Sequence, residues 1–402
     1  MILRARWVVP ISGPPLRDAA VRIAGEQIAS VGLADTVAGA QPVIDLGAAI
    51  LTPGLVNPHT HLELTAYRGR LPPGSLWFWL ARLVLLRRMP GQRERERQAV
   101  ADGAWESLRA GVTCVGDISR RNLSWPVLKT VPIRKVCFVE LLTLADDPPR
   151  DPAELRRAVE EVGEDDLLTV GVTPHAPYTV PVEHMRAAIA MADELRRPWC
   201  THWLETLEER RFLEGSDAAF PAFVLELLGQ CGVRSPRRSP LDVLESCTVG
   251  RRPGLLAHGN YLEAEEMGRL AAAGHAVVYC PRAHRFFGHA AHPYRELLQA
   301  GVRVVIGTDS AASSGDLSVL NELRFLRDHD PQAPGSDDLL RMVTLDAASA
   351  LGLGEQIGSL EPGKQADLAA FPAPPDESPP ADWLVRAAPA PLGVWVAGRR
   401  VV

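Results

Sequence analysis

Lysine is scarce in this sequence of 402 residues: only Lys129, Lys135 and Lys364 stand among its 43 basic side chains, the rest being arginine. Few positions remain for chemistry that needs a lysine amine. Cysteine is sparse too, at 114, 137, 200, 231, 247 and 280, with no Cys-x-x-Cys spacing and no disulfide-like density. Such usage points to a reducing, cytoplasmic compartment. Apolar runs are broken by Gly, Pro or charge well before the roughly 20 residues that a membrane span needs. The opening MILRARWVVPISGPP lacks the long apolar core and small-residue cleavage site of a secretory signal. A basic surplus is also missing. Forty-nine acidic against 43 basic residues give a net charge of −6, so no field recruits nucleic acid or anionic lipid. With 46% hydrophobic and 23% charged residues the chain is not disordered, and the expected partner is a small molecule.

The length suits one large domain and one small one, since about 150 residues per domain is a prior that barrels exceed. In residues 1–52, short β-branched segments (Trp7 to Pro10, Ala20 to Ile23, Gln27 to Val31, Pro42 to Asp45) alternate with glycine-rich turns. Residues 355–402 carry similar strands in IGSLEPGKQADLAAF and GVWVAGRRVV, separated by a proline-rich loop. The two ends, 1–54 and 351–402, are expected to join as a composite β-sandwich.

Between them, buried-strand runs alternate with helical patterns, as in parallel βα units. Eight strands are expected at Leu55 to Leu62, Thr113 to Ile118, Val136 to Leu142, Leu168 to Thr173, Pro198 to Trp203, Gly254 to His258, Ala276 to Tyr279 and Val302 to Gly307. Helices are expected at Arg93 to Ala110, Val182 to Leu195 and Ala264 to Ala273, among others. This pattern predicts an α/β fold, a (β/α)8 TIM barrel over 55–350, with its site at the C-terminal ends of the strands.

That expectation can be tested within the sequence, because metal-competent residues should stand where the apolar runs stop. His59 and His61 end the first strand, His175 the fourth, His202 the fifth, His258 the sixth, His284 follows the seventh, and Asp309 ends the eighth. His59 and His61 are two apart, so on a strand both face one side and can converge on one ion. With His202 and Asp309 they offer three nitrogens and one carboxylate, a donor set that suits zinc or iron and leaves room for water. Such a metal lowers the pKa of bound water toward about 7 and supplies hydroxide at neutral pH. Glu205, three residues beyond His202, is a candidate proton shuttle, although alone it also reads as the solvated start of an acidic helix. His258 can polarise an oxygen or a leaving group, or simply be a buried histidine bonded to a carbonyl. Asp309 can both ligate and accept the water's proton.

Taken together, Pro53-Gly54-Leu55-Val56-Asn57-Pro58-His59-Thr60-His61, Pro174-His175-Ala176-Pro177-Tyr178, His202-x-x-Glu205, His258-Gly259, Cys280-Pro281-Arg282 and Gly307-Thr308-Asp309-Ser310 resemble the amidohydrolase superfamily. The likeness is to the branch of cytosine deaminase, adenosylhomocysteine deaminase and the triazine chlorohydrolases, and it extends to the segment Gly358-Ser359-Leu360-Glu361-Pro362-Gly363-Lys364. It implies one zinc or iron held by His59, His61, His202 and Asp309, with Glu205 as shuttle, His258 beside the hydrolytic water and His175 at the substrate. Binuclear members bridge two metals with a carboxylated lysine at a strand end, and no lysine ends a predicted strand here.

Within the branch, His59-Thr60-His61-Leu62-Glu63-Leu64, Cys280-Pro281-Arg282-Ala283-His284-Arg285-Phe286-Phe287 and Gly307-Thr308-Asp309-Ser310-Ala311-Ala312-Ser313 look most like aminodeoxyfutalosine deaminases of menaquinone biosynthesis. The resemblance implies hydroxide replacing the 6-amino group of an adenine nucleoside that carries a benzoate. Glu63 would then accept ribose hydroxyls, and one of Arg68, Arg120, Arg121, Arg282 and Arg285 would bind the carboxylate. Trp77, Phe78 and Trp79 would form an aromatic wall or else pack a helix on the barrel. Residues 206–253 would make a lid or a subunit contact, and a homodimer would be ordinary. Rival readings are an adenosine-type or adenosylhomocysteine deaminase, a guanine or cytosine deaminase, a chlorohydrolase-like enzyme and, outside enzymes, a non-catalytic metal-binding barrel.

Overall fold

The computed structural model describes residues 1–37, 39, 41–143, 148–216, 220 and 233–402. Five strands open the chain: β1 (Ile2–Val8), β2 (Leu16–Ala24), β3 (Gln27–Leu33), β4 (Val43–Asp45) and β5 (Ala49–Pro53). Three lie near its other end, β14 (Leu368–Pro372), β15 (Gly393–Val396) and β16 (Arg399–Arg400). All eight share one mixed sheet in the order β16-β15-β14-β5-β1-β2-β3, with β4 pairing in parallel beside β1. β5 joins the two ends, running antiparallel to β14 from Pro53 opposite Leu368 to Ala49 opposite Pro372. Its run AILTP is buried throughout and shows no polar alternation, so it was not among the strands expected from sequence.

The eight expected parallel strands are all present: β6 (Leu55–Thr60), β7 (Val112–Ser119), β8 (Arg134–Leu141), β9 (Leu168–Pro174), β10 (Cys200–Trp203), β11 (Leu255–His258), β12 (Ala276–Tyr279) and β13 (Arg303–Ile306). They form two four-stranded parallel sheets, β6-β7-β8-β9 and β10-β11-β12-β13. Single parallel bridges span both seams, Thr60 with Asp309 and Val172 with Trp199. The fold is thus α/β with parallel sheets, its strands buried on both faces and flanked by helices. Two of these helices matter for the site: α1 (Leu76–Arg87) and α2 (Gln92–Arg109). Among the described residues no helix is long and apolar enough to cross a membrane.

One buried ion pair pins the parallel sheets to the mixed sheet. Arg134, at the start of β8, donates from Nε to Asp367 Oδ2 at 2.7 Å, and Asp367 also accepts from the Ala397 amide at 2.8 Å. Both side chains are at least nine-tenths buried. Removing one partner would strand a charge in the interior, which typically costs about 3–5 kcal/mol. Asp367→Ala should therefore lower unfolding free energy in urea by that order. Arg17→Ala, which breaks the exposed pair with Glu377, should shift it by no more than about 0.5 kcal/mol.

Candidate active site

The C-terminal ends of β6 and β13 are stitched together. Asn57 donates from Nδ2 to Thr308 Oγ1 at 2.8 Å, and the Thr308 amide returns a bond to Asn57 Oδ1 at 3.2 Å. Just beyond, the Asp309 amide donates to the His59 carbonyl at 3.2 Å and the His61 amide to the Asp309 carbonyl at 2.7 Å. Gly307 permits this approach: a Cβ there would come within 3.1 Å of the His59 carbonyl oxygen and 2.8 Å of Val278. The stitch places His59, His61 and Asp309 in one cluster. Asp309 Oδ1 lies 3.8 Å from His59 Nε2 and 3.7 Å from His61 Nε2.

β10 and β11 complete the group from the other sheet. His202 Nε2 is 3.2 Å from His61 Nε2, and the His202 and His258 rings stack with centroids 5.5 Å apart. His202 Nδ1 lies 3.0 Å from the His175 carbonyl, an acceptor, so the proton sits on Nδ1 and the Nε2 lone pair faces the cluster. Both His59 nitrogens are buried without a hydrogen-bond partner. Ligand atoms of His59, His202 and His258, and again of His59, His61 and Asp309, all lie within 4.8 Å of one another. Orphaned imidazole nitrogens converging with a carboxylate are a donor set that fits a divalent metal. Burial and the neighbouring imidazoles hold His61 and His258 well below the ordinary histidine range, so both are neutral and able to ligate.

Three residues here adopt left-handed backbone, Leu204 (φ 50°), His258 (φ 74°) and Asp309 (φ 60°), a costly conformation that persists only where neighbours enforce it. The enforcement is visible. Glu209, fully buried, accepts the Leu204 amide at 2.8 Å and the Glu205 amide at 3.0 Å. Asn260 donates to the Glu205 carbonyl at 2.8 Å, and His292 Nε2 meets the His258 carbonyl at 2.7 Å. So held, Glu205 Oε1 lies 3.5 Å from His258 Nε2. Burial, then the Asp309 and Glu209 charges, raise the Glu205 carboxyl well above the usual carboxylate range, so it can hold a proton at neutral pH. Ser313 donates to Asp309 Oδ2 at 2.6 Å and fixes that carboxylate.

The cluster opens on a pocket lined by His61, His175, His202, Glu205, His258 and Asp309 at one end. Its walls are apolar, with Leu76, Trp77, Leu80 and Val84 of α1 facing Tyr178 and Phe287. Trp77 meets Tyr178 edge-on at 5.3 Å and Trp79 meets Phe287 at 5.4 Å, so both tryptophans belong to the wall. Phe78 does not: it is 59% exposed on the outer side of α1. Glu63 lines the pocket as well, but it is ion-paired with Arg87.

Of the arginines expected from sequence, Arg120 lines this pocket and Arg121 an adjoining one. Arg282 is bound to Glu322 and Asp316, Arg68 to Glu106, and Arg285 is exposed away from the pocket. Those three are set aside. Residues 217–219 and 221–232 of the expected lid lie outside the described residues. Sequence reasoning missed Arg87 and Glu140, although both left a signal. Arg87 shares the helical spacing of Trp77, Leu80 and Val84, and Glu140 stands at the end of an apolar strand.

The sequence model described as the Amidohydrolase family matches residues 50–401. The chain belongs to that family. This amidohydrolase is accordingly an enzyme of a group that hydrolyses carbon–nitrogen bonds. A 5-methylthioadenosine/S-adenosylhomocysteine deaminase of Moorella thermoacetica is 30% identical over 387 residues, 92% of this chain and 84% of that protein. An adenosine deaminase from Xanthomonas campestris with bound zinc superposes with TM-score 0.84 at 27% identity, covering 99% of this chain and 92% of that one. Helicobacter pylori aminofutalosine deaminase in complex with methylthio-coformycin superposes with TM-score 0.90 over 100% of both chains; at 24% identity it speaks for the fold alone.

The Glu209 clamp yields a prediction. Glu209→Gln keeps the shape but turns an NH2 group toward one of two amides that need an acceptor. It should lower unfolding free energy by about 1–3 kcal/mol in urea.

Proposed function

We propose that this amidohydrolase replaces the 6-amino group of an adenine nucleoside by oxygen, releasing ammonia, with 6-aminodeoxyfutalosine as substrate and futalosine as product. The observation that carries the reaction is the convergence of His59, His61, His202 and Asp309 with the Glu205–His258 pair at the end of an aromatic-walled pocket. The deaminase names of its relatives support the adenine nucleoside, and the extended motifs around His61, His284 and Asp309 support the narrower substrate. Deamination of 5-methylthioadenosine or S-adenosylhomocysteine is the second reading, favoured by the relative at 30% identity.

One divalent metal, zinc or alternatively iron, held by His59, His61, His202 and Asp309, would supply hydroxide at neutral pH. The protein residues then move protons and hold the substrate. Glu205 takes one proton from the attacking water and delivers it to the purine ring nitrogen. His258 hydrogen-bonds the oxygen that adds to the ring, Asp309 takes the second water proton from that oxygen and passes it to the amine, which leaves as ammonia as the tetrahedral centre collapses, and His175 contacts the nucleoside. Trp77 and Tyr178 offer an aromatic wall on one side of the flat base, and Glu63 takes ribose hydroxyls. A single metal is favoured because Lys135 stands at the start of β8, its Nζ 3.5 Å from the Val131 carbonyl, rather than at a strand end.

In architecture we read residues 55–350 as a (β/α)8 barrel, with single bridges between its two sheets in support, and 1–54 with 351–402 as a composite β-sandwich. Cys114, Cys137, Cys200, Cys247 and Cys280 are free and buried, which supports a cytoplasmic enzyme.

Three outcomes test this function. Screening aminopurine nucleosides with and without a benzoate group should show the absorbance shift of 6-amino loss, fastest with the benzoate; turnover confined to hydantoin-like rings would sink the proposal. Chelation should abolish activity and added zinc restore it. Glu205→Gln should lower kcat by about 10²- to 10⁴-fold while metal content measured by elemental analysis stays at the wild-type level.

A further inference from the structure

The pocket contains a carboxylate to which the proposed reaction gives no task. Glu140, near the end of β8, is 4% exposed, lines the pocket, and makes no hydrogen bond or ion pair with any described residue. A buried acceptor left unpaired in a native wall calls for an explanation, and a ligand is the simplest one. Its neighbours define what that ligand can be. Burial pushes the Glu140 carboxyl up to about 7, and the Arg87 charge offsets only part of that. The same Arg87 is paired with Glu63 and donates from Nε to Glu96 at 2.8 Å. The second oxygen of Glu63, Oε2, has no partner.

Glu140 thus offers acceptor oxygens beside a guanidinium whose charge Glu63 and Glu96 already neutralise. A neutral group bearing hydroxyls suits both, because each hydroxyl donates to a carboxylate and accepts from a guanidinium. The position is suitable as well. Glu140 pairs in register with Thr173, the His175 amide bonds the Leu141 carbonyl at 3.1 Å, and His175 lies against His202 with ring centroids 4.8 Å apart. Glu140 on β8 is thus two strands from the His202 strand, about 10 Å across the rim. That is the reach of a purine together with its sugar.

We propose that Glu140 is a specificity-determining residue whose carboxylate accepts hydrogen bonds from a vicinal diol, with the Glu63–Arg87 pair completing the subsite. The inference rests on the adenine-nucleoside reading, whose ribose carries such a diol. It makes the enzyme selective for ribonucleosides over their deoxy counterparts through binding rather than through the chemical step.

The test uses the zinc-loaded enzyme and the best nucleoside from the substrate screen, beside its 2′,3′-dideoxy counterpart. Glu140→Gln should lower kcat/KM for the ribonucleoside by about tenfold to a hundredfold, mainly through KM, and leave the dideoxy compound within about twofold. Metal content and melting temperature should match wild type; Glu140→Ala, giving the same selective loss, guards against a fault peculiar to the amide. An equal loss on both compounds, or no loss on either, overturns the role of Glu140 while the functional reading stands. If wild type turns over no adenine nucleoside, the functional reading falls and the diol subsite falls with it.

Discussion

The seam between β6 and β13 is the constraint on which the site depends. Two backbone hydrogen bonds link His59, His61 and Asp309 across it, and the reciprocal Asn57–Thr308 pair lies just behind. Neither strand alone presents a usable set of donors. Drawn together, they bring two imidazoles and a carboxylate within a few ångströms, and His202 and His258 meet them from the opposite sheet. Because the donors ride on buried strands, their geometry is fixed by the packing of the whole interior rather than by the few residues around them.

Such a site is costly to maintain. Among the described residues His59 buries two unpartnered nitrogens, and Glu205 is buried beside Asp309 and Glu209, facing a His258 that burial keeps uncharged. Leu204, His258 and Asp309 hold left-handed backbone. These costs sit where a metal, a proton and a substrate would each relieve part of them, which is the pattern expected of a functional centre. The support around it is rigid and polar: Glu209, Asn260, His292 and Ser313 each spend a hydrogen bond on holding a neighbour in place.

Much of this was legible in the chain. Every parallel strand was visible as an apolar run, six of them with a metal-competent end, and Ala276–Tyr279 and Ala264–Ala273 lie at their expected bounds. The His-x-His spacing implied convergence because side chains alternate along a strand. β5 was hidden because its five residues show no alternation and lie outside the strand–helix rhythm that made the other fully buried strands legible. Arg87 was hidden inside a helix that otherwise reads as core, and Glu140 because Leu141 and Leu142 follow it, so the apolar run does not visibly stop there. The arginines were undecidable for a plainer reason. With so many in the chain, only knowing which carboxylate each meets, Glu322 for Arg282 or Glu106 for Arg68, separates a substrate contact from an ordinary ion pair.

The pairing of β5 with β14 bears on how the protein is made. During synthesis β1 to β5 emerge first, yet the neighbour that covers β5, and the Asp367 that anchors β8, emerge only after all eight parallel strands. Until then a strand built to be buried stands as an open edge, able to pair with another nascent chain. Contacts of such long sequence separation form late and slowly. The protein's time of greatest exposure to aggregation is therefore set by the ribosome's progress toward β14, and a stall or truncation upstream of it would leave a sticky half-sheet attached to an otherwise finished catalytic core.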